Sequence, residues 1–190
     1  MADGYLMGLD VGSGHIACLM LNPGSGEITS VRKPFRQHRE NRRDDWSFDL
    51  DTVSLMRLVG EAVQETMQLA GISSGQVAGI AAAGMRHGMV VIDQDGEEIV
   101  AMPTKDARAA SASTELASRF GKTLYQRTGR WPLPIFAAAR LMWLKDSAPE
   151  LFERAQICLS ISDWLNFHMT GQAAFERSLA AETMLLDLDS

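Results

Sequence analysis

The sequence predicts an α/β fold: a mixed sheet with helices on both faces and a helical insertion. Three observations predict it. From Tyr5 to Phe35, apolar runs alternate with turn residues, as in an antiparallel meander. A long amphipathic segment follows, and it leads into a run of small and apolar residues suited to a sheet interior.

Tyr5 to Val11 is apolar and gives way to Gly12-Ser13-Gly14. Ile16 to Leu21 is apolar again and ends in Asn22-Pro23-Gly24-Ser25-Gly26, so the pair reads as a hairpin. Ile28 to Phe35 continues the meander as a third strand, and the strongly charged stretch Arg36 to Asp45 reads as an exposed loop. Asp51 is the expected N-cap of a helix. Its apolar positions Val53, Leu55, Met56, Leu58, Val59, Ala62, Val63, Met67 and Leu69 keep helical spacing up to Gly71. Val77 to Ala83 is expected to be a strand buried on both faces, and Gly88 to Ile92 a further strand closed by an Asp95-Gly96 turn. A meander, a crossover helix and further strands follow the order of the ribonuclease H-like fold. Beyond Asp106 the pattern predicts helices over Ala107 to Phe120, Phe136 to Lys145 and Pro149 to Ala155, with a short turn near Leu124 to Thr128. A short strand at Ile157 to Leu159 then precedes a helix from Asp163 to Met169, stopped by Thr170-Gly171.

The composition is that of an ordinary globular domain of 190 residues, long enough for one real core or two small lobes. A net charge of -6 opposes a partnership with nucleic acid or an anionic membrane, both of which need a dominant positive field. The basic cluster from Arg36 to Arg43 is offset by Asp44 and Asp45. Cys18 and Cys158 are far apart and belong to no CxxC pair, which suits small buried hydrophobes in a reducing cytoplasm. The N-terminus shows no basic segment before an apolar one, and no run of about 18 apolar residues occurs. These features predict a cytoplasmic protein with a small-molecule role.

Five segments carry candidate chemistry. In Gly8-Leu9-Asp10-Val11-Gly12-Ser13-Gly14, glycines would let the backbone approach a phosphate, Ser13 supplies a hydroxyl, and Asp10 at a strand end can hold Mg²⁺ through water. The same residues are equally good turn chemistry. In Gly84-Met85-Arg86-His87-Gly88, an Arg beside a His at a strand terminus can hold a phosphate or the hydroxyls of a polyhydroxylated ligand; a surface β-turn is the plainer alternative. Asp106 and Arg108 suit a structural bridge or a helix cap better than ligand contact, and Asp163 suits an N-cap better than a functional carboxylate. The stripe Arg140-Leu141-Met142-Trp143-Leu144 is mostly core, leaving the residues before its first turn, Ile135 and Phe136, as pocket candidates.

Taken in order, these pieces resemble the N-terminal domain of the FGGY carbohydrate kinases, a branch of the actin/hexokinase superfamily. The resemblance runs from Leu6 to Asp187. It rests on Asp10-x-Gly12-Ser13-Gly14, Met85-Arg86-His87-Gly88, Asp106-Ala107-Arg108-Ala109, Thr128-Gly129, Arg140-Leu141-x-Trp143-Leu144, Ser162-Asp163-Trp164-Leu165, Thr170-Gly171, Ser178 and Asp187-Leu188. In motif detail it is similar to the autoinducer-2 kinase branch. The resemblance implies ATP and Mg²⁺ as cofactors, with Asp10 near the metal and Gly12, Ser13 and Gly14 facing the phosphates. It implies Arg86, His87, Ile135, Phe136 and Asp106 as substrate contacts for a small carbohydrate or polyol. It supplies no catalytic residue within the chain: the catalytic Asp and the adenosine site are expected beyond Ser190, in a C-terminal kinase domain. Residues 1–190 are thus expected to be most of the N-terminal, substrate-binding domain, inactive as a kinase alone, and a homodimer is compatible with this. Three positions depart from the family pattern: Ala17, where relatives carry Arg or Lys, His87, where several carry Glu, and Ser47, where many carry Glu. Ala17 and the absent second half motivate an alternative, a non-catalytic carbohydrate-binding or regulatory module derived from such a kinase.

Overall fold

The structure is a computed structural model that describes residues 4–39 and 46–189. Ser190 lies outside the described residues, and so does the expectation of a catalytic Asp beyond it. In chain order the elements are β1 (Tyr5–Val11), β2 (His15–Leu21), β3 (Ile28–Pro34), β4 (His38–Arg39), β5 (Phe48–Asp49), α1 (Thr52–Ala70), a 3₁₀ turn (Ser74–Gln76), β6 (Val77–Gly84), β7 (Met89–Asp93), β8 (Glu98–Met102), α2 (Ala110–Thr128), α3 (Ala137–Ser147), α4 (Pro149–Arg154), β9 (Ala155–Ser160), α5 (Ile161–Thr170) and α6 (Arg177–Ala181). They form two compact units. One holds the residues up to Gln37 together with Asp51–Met85, and the other holds the segment ending at Leu50 and everything from Arg86 onward.

The first unit is a four-stranded mixed sheet in the order β3-β2-β1-β6, antiparallel except where β1 and β6 run parallel. Period-two alternation decides its faces. Leu9 opposes Cys18, Val11 opposes Ile16, and Cys18 opposes Val31, and all five are buried. α1 packs over β2 and β3 with Leu55, Val59, Ala62 and Thr66 turned inward, one helical stripe. The helix starts and stops where the sequence says. The Asp51 side chain accepts from Ser54 N at 2.9 Å, and Gly71 ends the helix at φ 68°, a left-handed conformation that glycine adopts without strain. On the opposite face, Asp10, Ala17 and Arg32 stand in one cross-strand row, since Asp10 pairs with Ala17 and Ala17 with Arg32.

The strand at Val77 to Ala83 forms, yet it is not buried on both faces as its composition suggested. β6 lies at the sheet edge against β1 alone, with Ile80 half exposed and Ala81 and Ala83 exposed. The doubly buried strand is β7, all five of whose residues are buried. It does not extend the first sheet but sits between β8 and β9 in a separate antiparallel sheet of the second unit. There Met89, Val91, Met102 and Ala137 form a core packed by Leu141, Trp143 and Cys158.

Three further expectations are corrected in this unit. The charged stretch Arg36 to Asp45 is not wholly loop, because β4 pairs with β5; residues 40–45 lie outside the described residues. The helix expected to stop at Phe120 runs unbroken to Thr128. Gly121, inside this helix, is where the Trp131 indole lies against it: a Cβ there would come within 2.7 Å of the ring. The N-cap of α5 is Ser160 rather than Asp163. Ser160 Oγ accepts from Asp163 N, while the nearly fully buried Asp163 carboxylate accepts from Ser160 Oγ and Glu176 N. Among the described residues no helix is long and apolar enough to cross a membrane.

Candidate functional site

The first candidate feature, in the first unit, is the turn between β1 and β2. Gly12 N donates to His15 O at 3.0 Å and closes the turn. Two of the turn's carbonyls are occupied from the protein side: Gly14 O accepts from Phe35 N at 3.0 Å and Ser13 O from Gln37 Nε2 at 2.8 Å. What the turn can still offer a ligand is therefore the N–H groups of Ser13 and Gly14 and the exposed Ser13 hydroxyl, a donor set suited to an anion. Nothing among the described residues requires glycine at position 14. Its φ is not left-handed, and an added Cβ would meet no atom within 4 Å. The bare backbone there gives clearance for a phosphate, which is the fit expected of a nucleotide's phosphate end. Asp10, at the end of β1, has a side chain 52% exposed.

The second feature belongs to the second unit and follows directly on β6. Arg86 and His87 stand before β7, and His87 has φ 59°, a conformation costly for a side chain larger than glycine. The surrounding residues hold it there. Arg140, wholly buried, donates to His87 O, to Pro103 O at 2.7 Å and to Asp106 O at 3.0 Å, and Thr104 Oγ donates to Arg86 O. The imidazole is nine-tenths buried and meets the Phe136 ring edge-on at 5.3 Å. Its Nδ1 is buried without a partner, which is costly unless a ligand completes it. Burial pushes the His87 pKa down, helped by the charges of Arg86, Arg140 and Arg130 and opposed by Glu182, so the neutral ring is favoured. Glu182 is the centre of the charge pattern. Its carboxylate accepts from Arg130 and, at 3.2 Å, from Arg86, and lies 3.7 Å from His87 Nε2.

Of the predicted substrate contacts, Arg86, His87 and Phe136 belong to this cluster, and Ile135 precedes Phe136 as a half-buried neighbour. Asp106 makes the structural bridge that its own residues suggest. Its carboxylate is wholly buried and taken up by Phe48 N at 2.7 Å and by Arg108 Nε at 2.8 Å, while Arg108 also bridges to Asp49. In this arrangement Asp106 bridges to Arg108 and braces the segment around Phe48. Sequence reasoning missed Glu182 and Arg130 altogether. It assigned the Arg140 stripe to core without noting that an arginine in an apolar helix must find several acceptors, the one signal that was available. Desolvation pushes the Arg140 pKa down to about 10, and the acceptor carbonyls stabilise the charge that remains.

Comparison with known proteins gives a consistent picture. Residues 5–190 match the family model described as the FGGY family of carbohydrate kinases, N-terminal domain. The chain is 32% identical over 188 residues to the autoinducer-2 kinase of Salmonella typhimurium, covering 97% of this chain and 35% of that protein. It thus spans about a third of the length of the curated relatives it matches. Among solved structures it is similar to a ligand-bound xylulose kinase from Lactobacillus acidophilus, at TM-score 0.83 and 25% identity, covering 98% of this chain and 37% of that one. A second similar structure is a kinase of the same substrate name from Brucella ovis, at TM-score 0.88 and 21% identity, covering 96% and 38%. The fold is the actin/hexokinase-like α/β fold of these sugar kinases.

Proposed function

The chain belongs to the FGGY family of carbohydrate kinases, and from that premise we propose that it is the substrate-binding half of an ATP-dependent kinase acting on a hydroxyl of a sugar, polyol or related small carbohydrate. The observation that carries the proposal is His87: a strained backbone whose carbonyl Arg140 holds, a buried ring against Phe136 and an Nδ1 with no partner among the described residues. Strain maintained by this many bonds is characteristic of ligand sites.

In this reading the neutral His87 ring exchanges a hydrogen bond with a substrate hydroxyl, and Arg86 donates to another. Phe136 and Ile135 provide an apolar wall against the carbon chain. Glu182 keeps the two arginine side chains from collapsing onto other acceptors. In the first unit, Ser13 and Gly14, on the turn that Gly12 closes, would hold phosphate oxygens, and Asp10 would hold Mg²⁺ through water. Bound there, ATP with Mg²⁺ supplies the phosphoryl group and neutralises its developing charge. The remaining contribution of these residues is positioning and exclusion of water, which is most of what phosphoryl transfer asks of a protein. The names of the relatives favour open-chain pentuloses and autoinducer-like diols as first substrates to try. Release of ADP, followed with the protein as its gene encodes it and a panel of pentuloses, polyols and such diols, is expected for at least one of them. Binding without turnover across the panel would favour the non-catalytic module instead.

A further inference from the structure

The turn that resembles a phosphate motif lacks a cation on its own strand: the position at which the resemblance implies Arg or Lys is Ala17. Cross-strand register locates a replacement. Ala17 pairs with Asp10 on one side and with Arg32 on the other, so the three residues share a row on the sheet face opposite α1. Asp10 and Arg32 therefore stand two strand spacings apart, about 10 Å between backbones, and the methyl of Ala17 is all that lies between them in the row. Arg32 also leans toward the turn. Its guanidinium lies 3.2 Å from His15 Nε2, and a guanidinium can only donate, so that nitrogen accepts and the ring proton sits on Nδ1. The same Nε2 is 4.0 Å from the Asp10 carboxylate, and the His15 carbonyl closes the glycine turn through Gly12 N. His15 thus connects Arg32 to the donor turn.

Resting on the assignment of this turn to nucleotide phosphates, we propose that Arg32, steadied by His15, is the cationic residue of the phosphate site, serving from β3 the place that Ala17 leaves empty on β2. A guanidinium is suited to this because its fixed fork of donors matches two phosphate oxygens at once. The small side chain at position 17 is part of the device, since a longer one would stand between Arg32 and the turn.

The test titrates magnesium tripolyphosphate into the ¹⁵N-labelled chain at constant ionic strength, following the amide resonances of Gly12, Ser13 and Gly14. The wild-type amides are expected to shift. Arg32→Gln should bind about tenfold more weakly, and adding Ala17→Arg to that variant should restore the loss. Ala17→Arg alone should also bind, which keeps the test informative should Arg32→Gln fail to fold. Equal affinity of wild type and Arg32→Gln, or no recovery in the double variant, would overturn the role of Arg32 while leaving the turn a phosphate site. Absence of any shift at the three amides in wild type would overturn the phosphate assignment and this inference together.

Discussion

Arg140 and His87 are coupled through the main chain: the buried guanidinium donates to the His87 carbonyl, and the residue it secures holds φ 59°. The same guanidinium reaches the carbonyls of Pro103 and Asp106, so one side chain gathers the turn before β7 and the loop after β8. Arg140→Lys keeps the charge but offers a compact ammonium in place of a planar fork, and it cannot serve these acceptors together. A loss of about 2–4 kcal/mol in urea denaturation is expected. An unchanged midpoint and slope would show that the carbonyls find other donors.

His87 should also impose a pH dependence on stability. Its folded pKa lies below the ordinary value of 6.5, chiefly through burial, so the unfolded chain binds a proton at higher pH than the folded one. The sign follows: this contribution to stability is complete above 6.5 and declines as the pH falls through that value toward the folded pKa. Urea midpoints taken between about pH 7.5 and about pH 5.5 should fall more steeply for wild type than for His87→Gln. Parallel slopes would mean that burial does not lower the folded pKa of the ring.

Glu182 tests whether the charge pattern serves binding or stability. Its partners are partly solvated, the Arg86 side chain being 66% exposed, so the ion pairs should add little to folding. Glu182→Gln is expected to change unfolding free energy by less than about 1 kcal/mol. Its affinity for a bound pentulose or polyol should nonetheless fall by up to about tenfold, as the arginines lose their fixed positions. Loss of stability with unaltered affinity would assign Glu182 to the fold.

What the sequence made legible was local. The meander and α1 were readable because alternation, the Asp51 cap and the Gly71 stop act over a few residues. The exchange of roles between β6 and β7 was not readable, because a run of small residues does not say how many neighbours a strand will have. The continuation of the helix past Phe120 to Thr128 was not readable either, and the room that Gly121 leaves is filled by Trp131, ten residues on. The same limit governs the site. Arg86 and His87 were conspicuous beside glycines, and Asp10 and the Gly12–Gly14 turn formed a compact motif. Glu182 reaches Arg86 across 96 positions and Arg140 reaches His87 across 53, and no local pattern encodes such pairings. Asp106 was included on resemblance, whereas its burial against Arg108 gives it a bracing role.

The most direct test of the central claim is saturation-transfer NMR on this chain with open-chain pentuloses and polyols, repeated with Arg86→Ala and His87→Gln. Saturation of at least one ligand by wild type, and its loss in both variants with the fold intact, is the predicted result. Transfer that is absent from wild type, or that persists undiminished in both variants, would contradict the assignment of Arg86 and His87 to a carbohydrate site.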